Sequence, residues 1–211
     1  MEIEQQNWEY GSDPLLRSDL ADSPIDEFAR WLERAKAAKI AEPTAMVLCT
    51  ASVKGIPSSR TVLLKDFSEK GFVFFTNYNS RKGQELLSNP IASATFLWMP
   101  LIRQITLEGR VEKLARVDSE QYFSRRPRGS QIAAWASNQG EDLDTRNDLR
   151  AAYDTIEKQY HDREVLCPEY WGGFLIIPSR IEFWKGRSNR LHDRFCYTQL
   201  SGSWSIARLS P

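Results

Sequence analysis

Three residues that can carry positive charge occupy alternate positions near the C-terminus of the sequence. In the segment SNRLHDRF, residues 188 to 195, these are Arg190, His192 and Arg194. A β-strand there would direct all three side chains toward the same side, where like charges destabilise one another unless an anion or solvent absorbs them. The spacing leaves two interpretations open: a solvated edge strand, or a binding site for a negatively charged group.

A second group of cations lies at the predicted start of a short helix, in the segment NSRKGQELLSNP at residues 79 to 90. Ser80 can cap this helix, which must end before Pro90. Arg81 and Lys82 would then occupy the first turn, where cations oppose the helix dipole at a cost of about 0.3–1 kcal/mol each. A phosphate would offset that cost, because backbone N–H groups, the cap hydroxyl and two cations form an anion site. The alternative is that both side chains extend into water.

Two further segments add basic residues. In SSRTVLLKDF, Arg60 and Lys65 lie on opposite faces of an apolar strand, where a buried, unpaired charge would be costly. In YFSRRPRGSQ, three arginines lie beside Tyr122 and Ser130, which supply hydroxyl groups: Arg125, Arg126 and Arg128. A solvated loop between helices would also explain this last segment. Four such groups together favour two phosphate-sized binding sites.

The charge balance of the chain makes this anion recognition a local property. The 211 residues include 28 basic and 28 acidic residues, so no overall field draws the protein to nucleic acid or to an anionic membrane. No apolar run is long enough to span a membrane, and the acidic N-terminus lacks the features of a secretory signal. The three cysteines are far apart and form no C-x-x-C pair. These features predict a cytoplasmic protein without a disulfide framework.

Several familiar catalytic patterns are missing from the sequence. It contains no G-x-G-x-x-G, no G-x-x-x-x-G-K-[ST] and no G-x-S-x-G segment. Only two histidines are present, His161 and His192, which excludes a His-rich metal site, and we expect no metal. If the protein is an enzyme, a bound cofactor is expected to supply the reactivity.

The elements that must position these residues can be read from hydrophobic periodicity and turn signals. Ser23-Pro24 predicts the start of an amphipathic helix that ends before Pro43. Strands are predicted at 45–53, 58–67, 72–77, 92–98, 103–114, 172–186, 190–197 and 204–209, and helices near 118–125, 130–137 and 145–160. This pattern predicts an α+β fold: a closed or nearly closed barrel of six or more antiparallel strands with peripheral helices. We expect one domain over residues 23–211, preceded by a leader at 1–22.

Motifs along most of the chain resemble those of one enzyme family. They are PTAMVLCT, SSRTVLLKDF, KGFVFFTNYNSRKGQELLSNP, FLWMPLIRQITLEGRVEKL, YFSRRPRGSQIAAWAS, IEFWKG, RLHDRF and the terminal RLSP. In unbroken order from about Ser23 to Pro211, they resemble the pyridoxine (pyridoxamine) 5′-phosphate oxidase family. The resemblance implies an FMN-binding split β-barrel and a homodimer with FMN at the subunit interface. It also implies oxidation of pyridoxine or pyridoxamine 5′-phosphate to pyridoxal 5′-phosphate by O₂, with release of H₂O₂.

The resemblance also assigns roles to individual residues. The implied FMN-binding residues are Arg60, Thr61, Val62, Leu63, Leu64, Lys65, Phe75, Thr76, Ser80, Arg81, Lys82, Gln104, Gln139, Gly140, Trp184 and Arg194. The implied substrate-binding residues are Tyr10, Lys65, Tyr122, Arg126, Ser130, Arg190, Leu191 and His192. Among them, Arg190 and His192 are the expected catalytic residues: Arg190 would steady the substrate ring and its developing charge, and His192 would assist positioning or proton movement.

The sequence departs from the family pattern at three places. Phe75 stands where the family often has Tyr, and Gly140 where it often has Ser. The segment Asn7-Trp8-Glu9 replaces a basic pair that commonly precedes Tyr10. Two alternative functions stay open at this point. One is a related FMN oxidase of the phenazine type, which has a similar R-L-H-x-R segment, and the other is a non-catalytic protein that binds FMN or pyridoxal phosphate.

Overall fold

The computed structural model describes residues 13–211, so Tyr10 lies outside the described residues. Within that range the chain forms nine strands and five α-helices. The strands are β1 Ala45–Ala51, β2 Pro57–Leu63, β3 Asp66–Ser68, β4 Gly71–Asn77, β5 Ile91–Trp98, β6 Arg103–Lys113, β7 Trp171–Lys185, β8 Asp193–Leu200 and β9 Ser203–Leu209. The helices are α1 Pro24–Ala37, α2 Arg81–Ser88, α3 Arg116–Ser124, α4 Arg128–Ala136 and α5 Arg146–Gln159.

The strands form a single antiparallel sheet that curls back on itself. Neighbouring strands follow the order β2-β1-β5-β6-β7-β4-β3, and β8 extends the sheet from β7 to β9. Just after β2, the backbone N–H of Lys65 donates to the carbonyl of Val73 in β4, at 2.8 Å. This contact connects the first strand of the order, β2, to β4, the last strand but one, and so brings the two sides of the sheet together. The predicted α+β fold with an antiparallel barrel is confirmed.

Helix α1 covers the core of the barrel. It begins as the sequence predicts: the Ser23 hydroxyl accepts hydrogen bonds from the N–H groups of the first turn, and Pro24 is the first helical residue. Phe28 is fully buried and meets the rings of Phe72 and Phe96, with centroids 4.9 and 5.1 Å away. Such aromatic contacts add to the burial of apolar surface, so α1 fixes one layer of the barrel interior.

A smaller core lies beside the barrel, under helices α3 to α5. Its buried residues are Phe123, Ile132, Val165 and Trp171. Trp171 begins β7 and pairs with Asn77 at the end of β4, so this core adjoins one end of the sheet. None of the described helices is both long enough and apolar enough to span a membrane.

The strand predicted over 190–197 is wrong at its beginning, because β8 starts only at Asp193. Residues Ser188–Arg190 form a short 3-10 turn, in which Asn189 and Arg190 have φ angles of 57° and 60°. A strand requires a negative φ, so the backbone cannot be extended there. Arg190 and His192 therefore lie in a loop before β8, whereas Arg194 lies within it.

The boundary between leader and domain at residue 23 stays a prediction. Leu15 and Leu20, from the described part of the leader, are buried in the main core. The N–H of Leu15 also donates to the Asp193 carboxylate at 3.0 Å. These contacts attach residues 15–20 to the barrel next to the start of β8.

Candidate active site

A large cleft opens between the barrel wall and helices α3 and α4. Its volume is about 1070 Å³. It brings together many residues that the sequence assigned to phosphate or ring recognition: Arg60, Thr61, Val62, Leu63, Lys65, Phe75, Thr76, Lys82, Tyr122, Arg126, Ser130 and Gln139. The cleft is large enough for more than one small ligand.

Helix α2 presents its N-terminus at one end of the cleft. Ser80 caps the helix by accepting a hydrogen bond from the N–H of Gly83, as predicted. Gly83 packs against the preceding loop so closely that a Cβ atom there would lie 2.3 Å from the Tyr78 carbonyl oxygen. Glycine at this position therefore lets the helix start directly beside β4, where its first N–H groups lack intrahelical partners.

Lys82 is a buried cation at this end of the cleft. Its ammonium group donates to Gln139 Oε1 at 3.1 Å, Ser80 Oγ at 3.2 Å and Thr76 Oγ1 at 3.3 Å. Burial, and then the nearby charge of Arg60, lowers the pKa of Lys82 to about 8. Among the described residues its hydrogen-bond partners are neutral, so the site holds a buried positive charge suited to an anionic ligand.

Arg60 and Arg81 approach the same region and share one carboxylate, that of Glu85. Arg81 Nε donates to Glu85 Oε1 at 2.9 Å, and Arg60 Nη2 lies 3.6 Å from Oε2. Thr50 and Ser58 also donate to this carboxylate. Burial alone would raise the pKa of Glu85, but hydrogen bonds from Ser58, Thr50 and Arg81 outweigh it and lower that pKa to about 2. Glu85 is therefore a permanent negative charge that orders both arginines.

Sequence reasoning missed Glu85. The available signal was its position four residues after Arg81 on a predicted helix, a spacing that favours an Arg–Glu pair. Its contacts with Thr50 and Ser58 cross from α2 to the hairpin of β1 and β2. Such contacts between elements cannot be derived from local spacing.

The other end of the cleft carries the second basic group. Tyr122 lies on α3, Ser130 on α4, and Arg126 in the turn between these helices. The Nη1 atom of Arg126 is buried without a hydrogen-bond partner among residues 13–211. Burial lowers the pKa of Arg126 and raises that of Tyr122. A buried guanidinium with an unused donor is suited to an incoming anion.

The remaining predicted site residues form a separate group on strands β6 to β8 and in the loop before β8, called the β6–β8 group below. Gln104 pairs with Trp184 across β6 and β7, and Trp184 pairs with Arg194 across β7 and β8. The His192 ring lies 4.7 Å from the Trp184 ring, between centroids. Arg190 and Leu191 follow in the same loop, both with exposed side chains.

This β6–β8 group and the cleft lie toward opposite ends of β7. Strand β7 passes the cleft at Gly173, which pairs with Phe75, and reaches Trp184 eleven residues later. At the usual rise per residue, this is about 35 Å of strand. The predicted site residues of this chain therefore divide into two groups.

Within the β6–β8 group, a hydrogen bond to Nδ1 defines the tautomer of His192. The backbone N–H of Arg187 donates to His192 Nδ1 at 3.0 Å, so the neutral ring carries its proton on Nε2. Burial, and then the charges of Arg190 and Arg194, lowers the pKa of His192. Both effects favour the neutral form of the ring.

Arg194 is held from behind by a buried carboxylate. Its Nε donates to Glu182 Oε1 at 2.8 Å, and its Nη1 donates to the carbonyl of Ser210 at 2.8 Å. Arg180 also donates to Glu182, at 2.9 Å. Glu182 thus fixes Arg194 as Glu85 fixes Arg81.

Two other predicted FMN-binding residues are Leu64, which lies in the main core, and Gly140, which lies in a loop. The Leu64 side chain is buried in the main core, and its N–H donates to the Thr44 carbonyl. Gly140 lies in the loop after α4 with a φ of 98°. No cluster of His, Cys, Asp and Glu suitable for a metal ion occurs within residues 13–211.

Comparison with protein families matches two segments that together cover most of the chain. Residues 32–160 match the family described as pyridoxamine 5′-phosphate oxidase. Residues 171–211 match the pyridoxine 5′-phosphate oxidase C-terminal dimerisation region. The second segment contains Trp184, Arg190, His192 and Arg194.

Relatives of similar sequence and a solved structure agree with this match. Pyridoxine/pyridoxamine 5′-phosphate oxidases of Trichormus variabilis and Salinibacter ruber are 49% and 47% identical to the chain, with 96% of it covered in each case. The alignments cover 95% and 96% of those proteins. PhzG from Burkholderia lata 383, solved with tetrahydrophenazine-1-carboxylic acid, is 30% identical with a TM-score of 0.88, covering 94% of this chain and 98% of that one. The chain belongs to the pyridoxine/pyridoxamine 5′-phosphate oxidase family.

Proposed function

We propose that this protein is an FMN-dependent oxidase that converts pyridoxine or pyridoxamine 5′-phosphate to pyridoxal 5′-phosphate, with O₂ as electron acceptor and H₂O₂ as product. The observation that carries this proposal is the convergence of two phosphate-sized cationic groups in one cleft. One contains Arg60 and Lys82, and the other contains Arg126 with the hydroxyls of Tyr122 and Ser130. The flavin and the substrate each carry one phosphate, so the pair of groups suits the pair of ligands. Full-length relatives with the same activity in their names support it.

The residues at the α2 end of the cleft fit the phosphate of FMN. The cap of α2, the buried ammonium of Lys82 and the two arginines ordered by Glu85 supply donors and positive charge. Thr76 and Gln139 would hold Lys82 in place, as they do in the structure. When bound, FMN supplies the redox chemistry by accepting a hydride from the substrate and passing the electrons to O₂.

The second cationic group would hold the phosphate of the substrate. Arg126 offers its unused N–H donor, Lys65 adds a cation at the cleft, and Tyr122 and Ser130 add hydroxyls. Two fixed phosphates would align the substrate ring with the flavin. Such alignment can lower the activation free energy of the reaction by about 7–11 kcal/mol for well-oriented groups.

Polar side chains of the β6–β8 group would act on the substrate ring. Arg190 would stabilise the charge that develops on the ring, because a guanidinium placed against a forming charge acts without reorganisation. His192 would donate from Nε2, since the Arg187 N–H occupies Nδ1. Gln104, Trp184 and Arg194 would contact the flavin from the same side.

We further propose a homodimer in which each active site combines the cleft of one subunit with the β6–β8 group of the other. The separation of the two groups along β7 supports this arrangement. The family match of residues 171–211 to a dimerisation region points the same way. Val47 and Leu97 also expose apolar side chains on neighbouring strands of the barrel, as an interface requires.

Hybrid dimers would test this shared site. Arg126→Ala and Arg190→Ala subunits, expressed together with different tags and purified through both, should form a dimer with one intact site and one doubly altered site. We expect about half the wild-type turnover from such a hybrid, although each parent homodimer is nearly inactive at low substrate concentration. A hybrid as inactive as its parents would show that both groups serve the same subunit's site.

The location of the protein in the cytoplasm is part of this proposal. Cys49, Cys167 and Cys196 are free thiols, which suits a reducing compartment.

A direct assay tests the proposed function. The FMN-loaded protein is incubated under air with pyridoxine or pyridoxamine 5′-phosphate, and pyridoxal 5′-phosphate and peroxide are measured. Stoichiometric formation of both supports the proposal. Tight binding without turnover would instead indicate a non-catalytic binding protein, and turnover of a carboxylated phenazine precursor alone would indicate a phenazine-type oxidase.

A further inference from the structure

Arg126 differs from the two arginines at the α2 end of the cleft, Arg60 and Arg81, in what supports its charge. Its guanidinium carbon lies 4.6 Å from the centre of the Trp171 ring and 5.5 Å from that of Phe123. No carboxylate lies within ion-pair distance of it among the residues that the structure describes. Arg60 and Arg81, in contrast, both face the carboxylate of Glu85. An aromatic face holds a guanidinium without neutralising it, so Arg126 keeps its full charge for a ligand.

Trp171 also contributes to a stack of rings that includes Tyr122. Phe75 lies nearly parallel to Tyr122, with ring centroids 3.8 Å apart and an interplanar angle of 11°. Trp171 is nearly parallel to both, at 5.4 Å from Phe75 and 6.2 Å from Tyr122. Trp171 therefore contacts Arg126 directly and belongs to the same stack of rings as Tyr122. Arg126 and Tyr122 are both assigned above to the substrate phosphate.

Trp171 is itself firmly placed. It is 7% exposed and begins β7, where it pairs with Asn77 of β4. Its N–H donates to the Pro168 carbonyl at 3.0 Å, and its own carbonyl accepts from Arg116 Nη1 at 3.1 Å. Phe123 packs edge-on against its ring, at 5.1 Å between centroids. A residue tied to the sheet in this way can fix the groups that rest on it.

We propose that Trp171 is a positioning residue for the substrate phosphate: its ring holds the Arg126 guanidinium, and through Phe75 and Tyr122 it keeps the phenol facing the cleft. This inference rests on the proposed function. It separates the two phosphate sites by their construction, since a buried carboxylate orders the cations of the flavin site and an aromatic surface orders the arginine of the substrate site.

Replacing the tryptophan by a flexible apolar side chain tests the proposal. Trp171→Met fills much of the same space but has no ring face, so KM for pyridoxine 5′-phosphate should rise about 10- to 30-fold. We expect kcat and the dissociation constant of FMN to change less than about twofold, because the flavin phosphate would be held at α2 and the charged contact that is lost is the one with Arg126. Trp135→Met is the matched control, because Trp135 packs in the same small core against Tyr160 and Tyr170. An equal KM in the two variants, or a parallel loss of FMN from Trp171→Met, would overturn the proposal.

A second variant keeps the test valid if Trp171→Met does not fold. Trp171→Phe retains a smaller ring, which should raise KM about threefold because phenylalanine binds cations less strongly than tryptophan. That increase should disappear in an Arg126→Gln background, which has no cation to rest on the ring, if it acts through the stacked guanidinium. The same increase in both backgrounds would contradict the proposal.

Failure of the proposed function would be seen separately, as a wild-type protein that produces no pyridoxal 5′-phosphate. In that case the affinity for added pyridoxal 5′-phosphate, followed by its absorbance, replaces KM in the same comparisons. Weaker binding by Trp171→Met than by Trp135→Met supports the role of Trp171, and equal binding refutes it.

Discussion

Replacing Lys82 with methionine should raise the dissociation constant of FMN by about 10- to 100-fold, because a charge-assisted hydrogen bond contributes about 1.5–3 kcal/mol. Methionine keeps the length and apolar stem of the side chain, so Thr76 and Gln139 lose only the ammonium group that they now accept from. Titration of cofactor-free protein into FMN, followed by flavin fluorescence, measures the change. The affinity for riboflavin, which lacks the phosphate, should be the same in both proteins.

The pH dependence of FMN binding gives a second measurement on the same variant. Because burial and Arg60 lower the pKa of Lys82 to about 8, the cofactor-free protein loses this charge as the pH rises through 8. A bound phosphate favours the protonated form, so binding above that pH must include proton uptake. The logarithm of the dissociation constant should then rise by up to about one unit per pH unit. Lys82→Met should lack this rise.

The control for both measurements is Lys36→Met on helix α1, where an exposed lysine pairs with Glu33. It removes a lysine charge far from the cleft and should leave FMN binding unchanged. If Lys82→Met binds FMN as tightly as this control and keeps the rise above pH 8, the phosphate lies elsewhere.

The cap and the cations of α2, proposed above to hold a phosphate, could be predicted from the sequence because they are local. Ser80, Arg81 and Lys82 are consecutive, and capping preferences and the helix dipole act within one turn. The structure has the cap where the sequence placed it. Glu85 could not be assigned in the same way, because two of its partners, Thr50 and Ser58, lie on another hairpin.

The loop before β8 shows why alternation alone misled the sequence prediction. Arg190, His192 and Arg194 have strand spacing, but Asn189 and Arg190 adopt positive φ. Asparagine tolerates this region better than most residues, and residues 188–190 include no glycine. Alternating charged residues therefore predicted an extended segment that the backbone does not form.

The division of the site into two groups was also beyond the reach of sequence spacing. It depends on which residues of β7 face β4 and which face β8, and so on sheet register. Trp171 escaped prediction for a related reason. As a buried aromatic residue at the start of a strand, it has the sequence properties of any core residue, and only its contact with Arg126 distinguishes it.

Replacing Arg190 with alanine should lower kcat for pyridoxine 5′-phosphate by about 100-fold or more, the usual loss when one preorganised electrostatic group is removed from a reacting centre. FMN affinity should change less than about twofold, because the flavin phosphate would be held at α2, whereas Arg190 belongs to the β6–β8 group. Peroxide formation at saturating substrate measures kcat, and flavin fluorescence measures retention of FMN.

Two further variants make this last comparison specific to the guanidinium of Arg190. Arg190→Lys keeps the charge but not the planar fork of donors, so it should recover only part of the lost turnover. Arg110→Ala removes an exposed arginine of β6 that pairs with Glu112, and it should behave as the wild type. Equal losses of turnover and FMN in Arg190→Ala would mean that this residue holds the cofactor. Arginine, alanine and lysine all carry a Cβ atom and are strained alike at the positive φ of this position, so neither substitution adds backbone strain to the loop and the two variants report the lost donor.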